Sequence, residues 1–272
     1  MADEHGCVYC YARPTHAQLG LSPGLEFETQ LVAKANAPAL LDQELRRPGY
    51  RAKTVMLGTA TDAYQPLEKK RRITRQLLGV FAFFFSSGCD HNQIGLVVRD
   101  IDILAPLARK GLTAVGVSIT TLDPRLARIM EPRASAPARR LEAIRAISSA
   151  GIPVTVLAAP MIPHLNDQDL ERILEAAAQS GADAASYTLL RLPLELKQLF
   201  SDWLTVHFPQ RASKVLNRLR DCRAGNLYVS EWGSRMTGTG AYAELMAKRF
   251  ALACRRYGLQ RVAPAGRDLD TS

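Results

Sequence analysis

Two cysteines near the amino terminus are the residues best suited to chemistry in this sequence. Cys7 and Cys10 are separated by two residues and preceded by Gly6, so a tight loop can turn both thiolates onto one metal ion or cluster. A zinc site needs further ligands, yet Cys222 and Cys254 lie far away in predicted helices. A thioredoxin-like redox pair needs a preceding strand, for which there is no room this close to the first residue. From these residues alone, a metal loop, a cluster loop and a lone surface pair stay open.

The elements that must position this loop alternate between short apolar runs and amphipathic helices. The continuous apolar character of one predicted strand, residues 152–161, indicates burial on both faces, as in a parallel sheet. This alternation predicts an α/β fold with a parallel sheet, either barrel-like or doubly wound. The strands are predicted at residues 54–57, 112–120, 152–161 and 184–192, and the helices at 66–81, 137–150, 166–180, 194–208, 211–222 and 242–257.

The loop around the two cysteines, residues 6–16 (GCVYCYARPTH), resembles the cluster loop of radical S-adenosylmethionine (SAM) enzymes, in particular of the branch similar to spore photoproduct lyase. This resemblance implies a partial (β/α)6 barrel of the TIM type over residues 1–192 and a helical extension over 193–272 that ends in a frayed tail. Further motifs of the branch follow in order at residues 21–24 (LSPG), 58–68 (GTATDAYQPLE), 117–123 (VSITTLD), 130–133 (MEPR) and 159–167 (APMIPHLND).

The same resemblance implies the cofactors and the reaction. In this superfamily a [4Fe–4S] cluster binds SAM, and an electron from a reducing donor cleaves SAM to a 5′-deoxyadenosyl radical, which abstracts hydrogen from a substrate. The substrate is unknown, and nucleic acid is one candidate. The loop at residues 58–62 (GTATD) contains no cysteine. Since spore photoproduct lyase uses a cysteine as hydrogen donor, thymine-dimer repair is not carried over.

The cluster loop departs from the family pattern at its first ligand. The superfamily spaces three cysteines as CxxxCxxC, and counting back from Cys7 gives Asp3 where the first thiolate belongs. A carboxylate is a harder and poorer iron ligand than a thiolate. The strand that precedes the loop in these barrels would also lie upstream of Met1. We therefore expect an amino-terminally truncated barrel, and a non-catalytic remnant is the alternative to an enzyme.

The resemblance places SAM-binding groups after the strands. Thr59, Thr61 and Asp62 follow the first visible strand, where the superfamily holds the SAM ammonium group, although Asp62 also suits the cap of a turn. Ser118 and Thr120 end the next strand. These two side chains reach the ribose hydroxyls or are ordinary strand formers.

Further cofactor contacts are implied by the loops around them. In the long loop, Arg133 would pair with the SAM carboxylate beside Glu131, or the two form a structural ion pair. Ile162 belongs to a segment that resembles the adenine-side motif, and Tyr9 would offer its backbone to the adenine amino group. His164, where similar sequences often have glycine, is interpreted as a loop histidine.

Residues 81–95 (FAFFFSSGCDHNQIG) break the alternation where another strand is due. We hypothesise a pair of compensating frameshifts around residues 85 and 95, which would make Cys89 and His91 accidental. The coding DNA tests this hypothesis, because it must permit the alternative frame.

Composition limits the remaining function classes. The chain has 272 residues, 47% of them apolar, and five cysteines, which are too few for a disulfide scaffold and suit a reducing compartment. No stretch approaches the ~20 apolar residues of a membrane helix, so we expect a cytoplasmic protein. The net charge of +9 suits a polyanionic partner. Basic runs, such as residues 69–72, are solvated helix faces or contacts to nucleic acid, so a basic nucleic-acid-binding module with a CxxC metal site is a further alternative.

Overall fold

The central element is a parallel sheet of six strands in which each described strand pairs with the next one along the chain. The computed structural model describes residues 3–84, 88–92, 95–231 and 233–262, with only the backbone described between residues 88 and 96. The strands are β1 (Val55–Leu57), β2 (Gly88–Asn92), β3 (Thr113–Ser118), β4 (Val154–Met161), β5 (Ala184–Leu189) and β6 (Gln260–Arg261). Strands in chain order, joined by helical crossovers, give the predicted partial barrel.

The helices connect the strands and cover the sheet. Short 3₁₀ segments at Arg13–Leu19, Gly95–Asp100 and Asp167–Asp169 supplement them. The α-helices are α1 (Glu26–Thr29), α2 (Ala37–Leu45), α3 (Glu68–Arg71), α4 (Ile73–Phe84), α5 (Ile101–Ala108), α6 (Pro124–Met130), α7 (Pro137–Ser149), α8 (Leu170–Gln179), α9 (Leu196–His207), α10 (Pro209–Asp221), α11 (Ser234–Thr237) and α12 (Ala241–Tyr257).

The centre of the sheet is buried on both faces. All six residues of β3 are buried, and so are the first five of β4. The apolar stripes of α7 and α8 pack against these strands in one core with α12, through residues such as Ile144, Ile147, Ile173 and Phe250. This arrangement explains the near-continuous apolar run of β4, since neither face of a covered parallel strand meets water.

The segment expected to break the alternation contains a strand. Gly88 pairs with Val55 of β1 on one side and with Thr113 of β3 on the other. Parallel pairing uses backbone amides and carbonyls, so a polar sequence between two strands can complete the sheet without an apolar pattern of its own. The prediction of an interrupted rhythm is therefore wrong. The side chains of Cys89 and His91 lie outside the described residues, and the frameshift hypothesis stays a prediction.

The carboxyl-terminal part of the chain returns to the sheet, contrary to the expectation that strands stop at residue 193. Gln260 of β6 pairs with Ala184 of β5, directly after α12. A two-residue strand is too short for its sequence to show a period, which is why the pattern missed it. Arg249 of α12 also forms an ion pair with Glu171 of α8 at 2.6 Å. The extension is thus mainly helical but joins the edge of the barrel.

The basic helix predicted over residues 66–81 is divided in two. Arg72 lies between α3 and α4 with a φ of 52°, a left-handed conformation that ends the first helix. Within the described residues, no helix is long and apolar enough to cross a bilayer.

Candidate functional site

A cavity of about 190 Å³ opens at the carboxyl edge of the sheet. The turn after β1, the last residue of β3, the end of β4 and the residues after β5 all contribute to its wall, as the fold predicts for a ligand site. The amino-terminal loop forms the remaining side. The lining includes Asp3, Cys7, Tyr9, Cys10, Tyr11, Gly58–Asp62, Ser118, Pro160, Leu190, Arg191 and Met236.

Long-range contacts fix the amino-terminal loop over this edge. The Val8 amide donates to the Met130 carbonyl at 3.1 Å. The buried guanidinium of Arg13 donates twice to the Cys7 carbonyl, at 3.1 and 3.0 Å. Gly6 has a φ of 71°, and a Cβ added there would lie 2.5 Å from an Arg133 nitrogen. The left-handed φ favours glycine beside the cysteines, and the Arg133 side chain would have to move to admit a larger residue.

The two thiols lie on one tight turn and face the cavity. The Cys10 amide donates to the Cys7 carbonyl at 3.3 Å, and both side chains border the open volume. Burial raises the pKa of Cys7 well above its ordinary value and that of Cys10 to about 12. Without a bound cation both sulfurs are therefore protonated at neutral pH. A metal centre would supply the positive charge that favours the thiolates.

Asp3 occupies the third position with its carboxylate already engaged. It accepts hydrogen bonds from the His5 amide at 3.0 Å and the Asp62 amide at 3.3 Å. The His5 ring nitrogen Nδ1 lies 2.9 Å from the same carboxylate. Burial raises the pKa of Asp3, but the contacts with His5 outweigh burial and hold that pKa below its ordinary value. Burial lowers the pKa of His5, but the contacts with Asp3 outweigh burial and raise that pKa.

This donor set suits an iron–sulfur cluster anchored on two thiolates, because soft sulfur donors face a cavity large enough to hold a ligand. Among the described residues no three His, Cys, Asp or Glu side chains already converge as a metal site. Asp3 would act as a third ligand through an oxygen that also accepts a hydrogen bond from His5 or Asp62.

A buried polar network supports the loop from beneath. The Tyr9 hydroxyl lies 3.2 Å from Thr120 Oγ1, and both hydroxyls donate to the Glu131 carboxylate. Arg140 pairs with the other Glu131 oxygen and donates to the Ser118 carbonyl at 2.9 Å. Thr120, Glu131 and Arg140 are almost fully buried. The network links the cysteine loop to the end of β3. Thr120, Glu131 and Arg140 therefore support the site from beneath and do not line the cavity.

The structure brings most of the predicted site residues to the cavity and leaves four outside its lining. Thr120 and Glu131 belong to the buried network. Arg133 pairs with Glu28, so the expected pairing of Glu131 with Arg133 is replaced by two separate ion pairs. Ile162 is fully buried in apolar packing. The predicted residues that do line the cavity are Asp3, Cys7, Tyr9, Cys10, Thr59, Thr61, Asp62 and Ser118.

Tyr11 and Arg191 are among the lining residues that the sequence reasoning missed. Tyr11 spans the cavity mouth, with its hydroxyl bonded to the Thr59 carbonyl and its ring stacked 4.2 Å from the Arg191 guanidinium carbon. Arg191 follows β5 and so stands at the carboxyl end of a strand. That position was the available signal, but residue 191 fell inside the predicted strand.

The family follows from the match of a family model to this chain. The model of the radical SAM superfamily matches residues 4–177, which include the cysteine loop and strands β1 to β4. The chain belongs to the radical SAM superfamily. Members of this superfamily bind a [4Fe–4S] cluster and SAM.

Relatives and solved structures agree with this family. An uncharacterized protein of Mycobacterium tuberculosis is 33% identical over 257 residues, 94% of this chain and 72% of the relative. An uncharacterized protein of Methanocaldococcus jannaschii is 23% identical over 79% of this chain and 76% of its own length. Spore photoproduct lyase complexed with dinucleoside spore photoproduct matches with a TM-score of 0.62 at 16% identity, over 96% of this chain and 74% of that one. This likeness confirms the predicted fold.

Proposed function

We propose that this chain holds an iron–sulfur cluster on Cys7 and Cys10 with Asp3 as the third ligand, binds SAM beside it, and abstracts hydrogen from an organic substrate. When bound, the cluster supplies the electron that cleaves SAM to a 5′-deoxyadenosyl radical. The observation that carries the proposal is the convergence of both thiols, Asp62 and Ser118 on one cavity at the carboxyl edge of the sheet.

The protein's own residues would orient SAM and stabilise its charges. Asp62 is buried, and its Oδ1 accepts from the Tyr64 amide at 2.7 Å, which fixes the carboxylate at the cavity wall. A fixed carboxylate suits the SAM ammonium group. Ser118 stands at the end of β3, where its hydroxyl can meet a ribose hydroxyl. Tyr11 covers the mouth of the cavity, and excluding water protects a reactive intermediate from side reactions.

Further assignments remain part of the proposal. The electron donor is a separate reductant. Nucleic acid is a proposed substrate class because the chain carries a net charge of +9 and has the fold of a protein solved with a dinucleoside. The Tyr9 backbone is a proposed contact of the adenine side, and Thr59 and Thr61 are proposed contacts of the SAM amino group.

The test is anaerobic reconstitution with iron and sulfide, followed by an assay for 5′-deoxyadenosine formed from SAM. We expect the parent chain to retain iron and to form this product. Asp3→Cys should increase iron retention and product, since a third thiolate is a better ligand than a carboxylate. Asp3→Ala should lower both.

The competing candidate, a non-catalytic remnant, is favoured by the engagement of Asp3 with His5 and Asp62. It predicts no product from the parent chain under any reducing condition. Zinc retention without a cluster would instead favour the metal-binding alternative.

A further inference from the structure

The wall of the cavity opposite the turn after β1 carries a cation that the proposed cofactor chemistry does not use. Arg191 lines the cavity directly after β5. Its guanidinium stacks on the Tyr11 ring, which fixes the plane of the fork. Among the described residues no carboxylate forms an ion pair with Arg191. Burial lowers the pKa of Arg191, as does the charge of Arg235. A half-buried guanidinium in this setting is stabilised by an anion.

The buried Arg223 holds the backbone of Arg235 close to that of Arg191. Arg223 is 1% exposed, and its guanidinium donates to the Leu190 carbonyl at 3.0 Å and to the Arg235 carbonyl at 2.8 Å. These bonds fix residues 190 and 235 beside each other, which holds the backbone of Arg191 next to that of Arg235. Two positive charges at this edge of the cavity both favour the approach of an anion.

We propose that Arg191, supported by Arg235, binds a phosphate group of the substrate at the mouth of this cavity. The proposal rests on the function proposed above, since it takes the cavity as the substrate site. A guanidinium fork matches two phosphate oxygens with parallel hydrogen bonds, and two neighbouring guanidiniums suit a phosphate better than a singly charged carboxylate. The phosphate can come from a mononucleotide or from a nucleic-acid backbone, which share this chemistry.

The test compares Arg191→Gln with Arg139→Gln in the full chain. Arg139 is exposed on α7, pairs only with Glu142 among the described residues and does not line the cavity, so its substitution makes the same charge change elsewhere. Three probes are titrated at several salt concentrations: thymidine, thymidine 5′-monophosphate and a single-stranded thymidine decanucleotide. Thermal unfolding of both variants confirms that they remain folded.

We expect Arg191→Gln to weaken binding of a phosphate probe about tenfold and to leave thymidine unchanged. For the decanucleotide, the slope of the logarithm of the binding constant against the logarithm of the salt concentration should also fall in magnitude by about one. A loss confined to the decanucleotide identifies a backbone phosphate, and a loss confined to thymidine 5′-monophosphate identifies a terminal phosphate. A loss for both probes shows that the site accepts a phosphate from either source. The proposal is wrong if Arg139→Gln has the same effect, or if phosphate adds nothing to the affinity of the parent chain for thymidine.

A parallel measurement separates this inference from the proposed function. SAM affinity and 5′-deoxyadenosine formation are measured on reconstituted Arg191→Gln, and both should match the parent chain. A loss of SAM affinity with unchanged phosphate binding would overturn the inference, because the anion would then be the SAM carboxylate. If Arg191→Gln loses phosphate binding while the reconstituted parent chain forms no 5′-deoxyadenosine, the inference is supported and the proposed function is contradicted.

Discussion

The two sides of the cavity carry opposite chemistry. The amino-terminal loop and the turn after β1 present thiols and carboxyl groups, which are chemical groups suited to cations, namely Cys7, Cys10, Asp3 and Asp62. The far side presents Arg191, with Arg235 held near it. A ligand that is cationic at one end and anionic at the other would be oriented by this polarity alone. The proposed metal ligands and the proposed anion contact therefore lie on separate elements of the fold, so each can be altered without the other.

The largest expected effect is on the thiol side. Cys7→Ala removes one of two sulfur ligands, and we expect the chain to lose nearly all of its iron after reconstitution. Cys254→Ala is the control, because that cysteine is buried in α12 away from the cavity. Iron content and the visible absorbance of the cluster are measured for both variants. Full iron retention in Cys7→Ala would show that the thiol side is not the metal site.

The support beneath the thiol side is the next most sensitive feature. Arg140→Met leaves the buried Glu131 carboxylate without its cation, which should lower the free energy of unfolding by about 3–5 kcal/mol. Arg139→Met changes the preceding, exposed residue and should cost less than about 0.5 kcal/mol. Urea denaturation of the two variants provides the comparison. Equal costs would mean that the network does not hold the loop.

Substitution of Asp62 tests whether the side with the thiols and carboxyl groups recognises SAM. Asp62→Asn keeps an oxygen for the Tyr64 amide but removes the charge, so the dissociation constant for SAM should rise about tenfold. Asp202→Asn, on the exposed side of α9, should leave it unchanged. Calorimetric titration of the reconstituted chain measures both values. An unchanged affinity in Asp62→Asn would place the SAM ammonium elsewhere.

The smallest expected effect concerns pH. Burial raises the pKa of Glu28, but Arg13 and Arg133 outweigh it and hold that pKa below its ordinary value of 4.5. The ionised carboxylate therefore stabilises the folded chain above the unfolded pKa, and this stabilisation is lost as the pH falls through the folded pKa. The free energy of unfolding should decrease between pH 7 and pH 3 in both chains. The decrease should be smaller in Glu28→Gln than in the parent, by about 1 kcal/mol at most. Denaturation at both pH values checks the sign.

Local sequence predicted the cavity residues on the side of the amino-terminal loop and missed Arg191 on the far side. Cys7, Cys10 and Asp62 lie in short motifs whose spacing places them on one loop or after one strand. Arg191 meets Tyr11 only because the amino-terminal loop crosses to the end of β5. Glu131 was matched with the nearby Arg133, yet the fold gives it Arg140 from the next helix. Contacts between distant elements depend on register and packing, which residue types and periodicity do not encode.

The strands divide in the same way. Those with buried β-branched runs, such as β3 and β4, were found close to their bounds. By contrast, β2 and β6 are strands because a neighbour offers its free edge, a property of the assembled sheet rather than of their own residues.

The buried Arg223 has a consequence for the dimensions of the entrance. Its guanidinium binds backbone carbonyls rather than side chains, at Leu190 on one side and at Ser234 and Arg235 on the other. Met236, the next residue, belongs to the cavity wall. The position of this side of the opening is therefore set by main-chain contacts. Exchanging surface side chains here changes which molecules are attracted, whereas moving this side of the wall requires breaking these bonds.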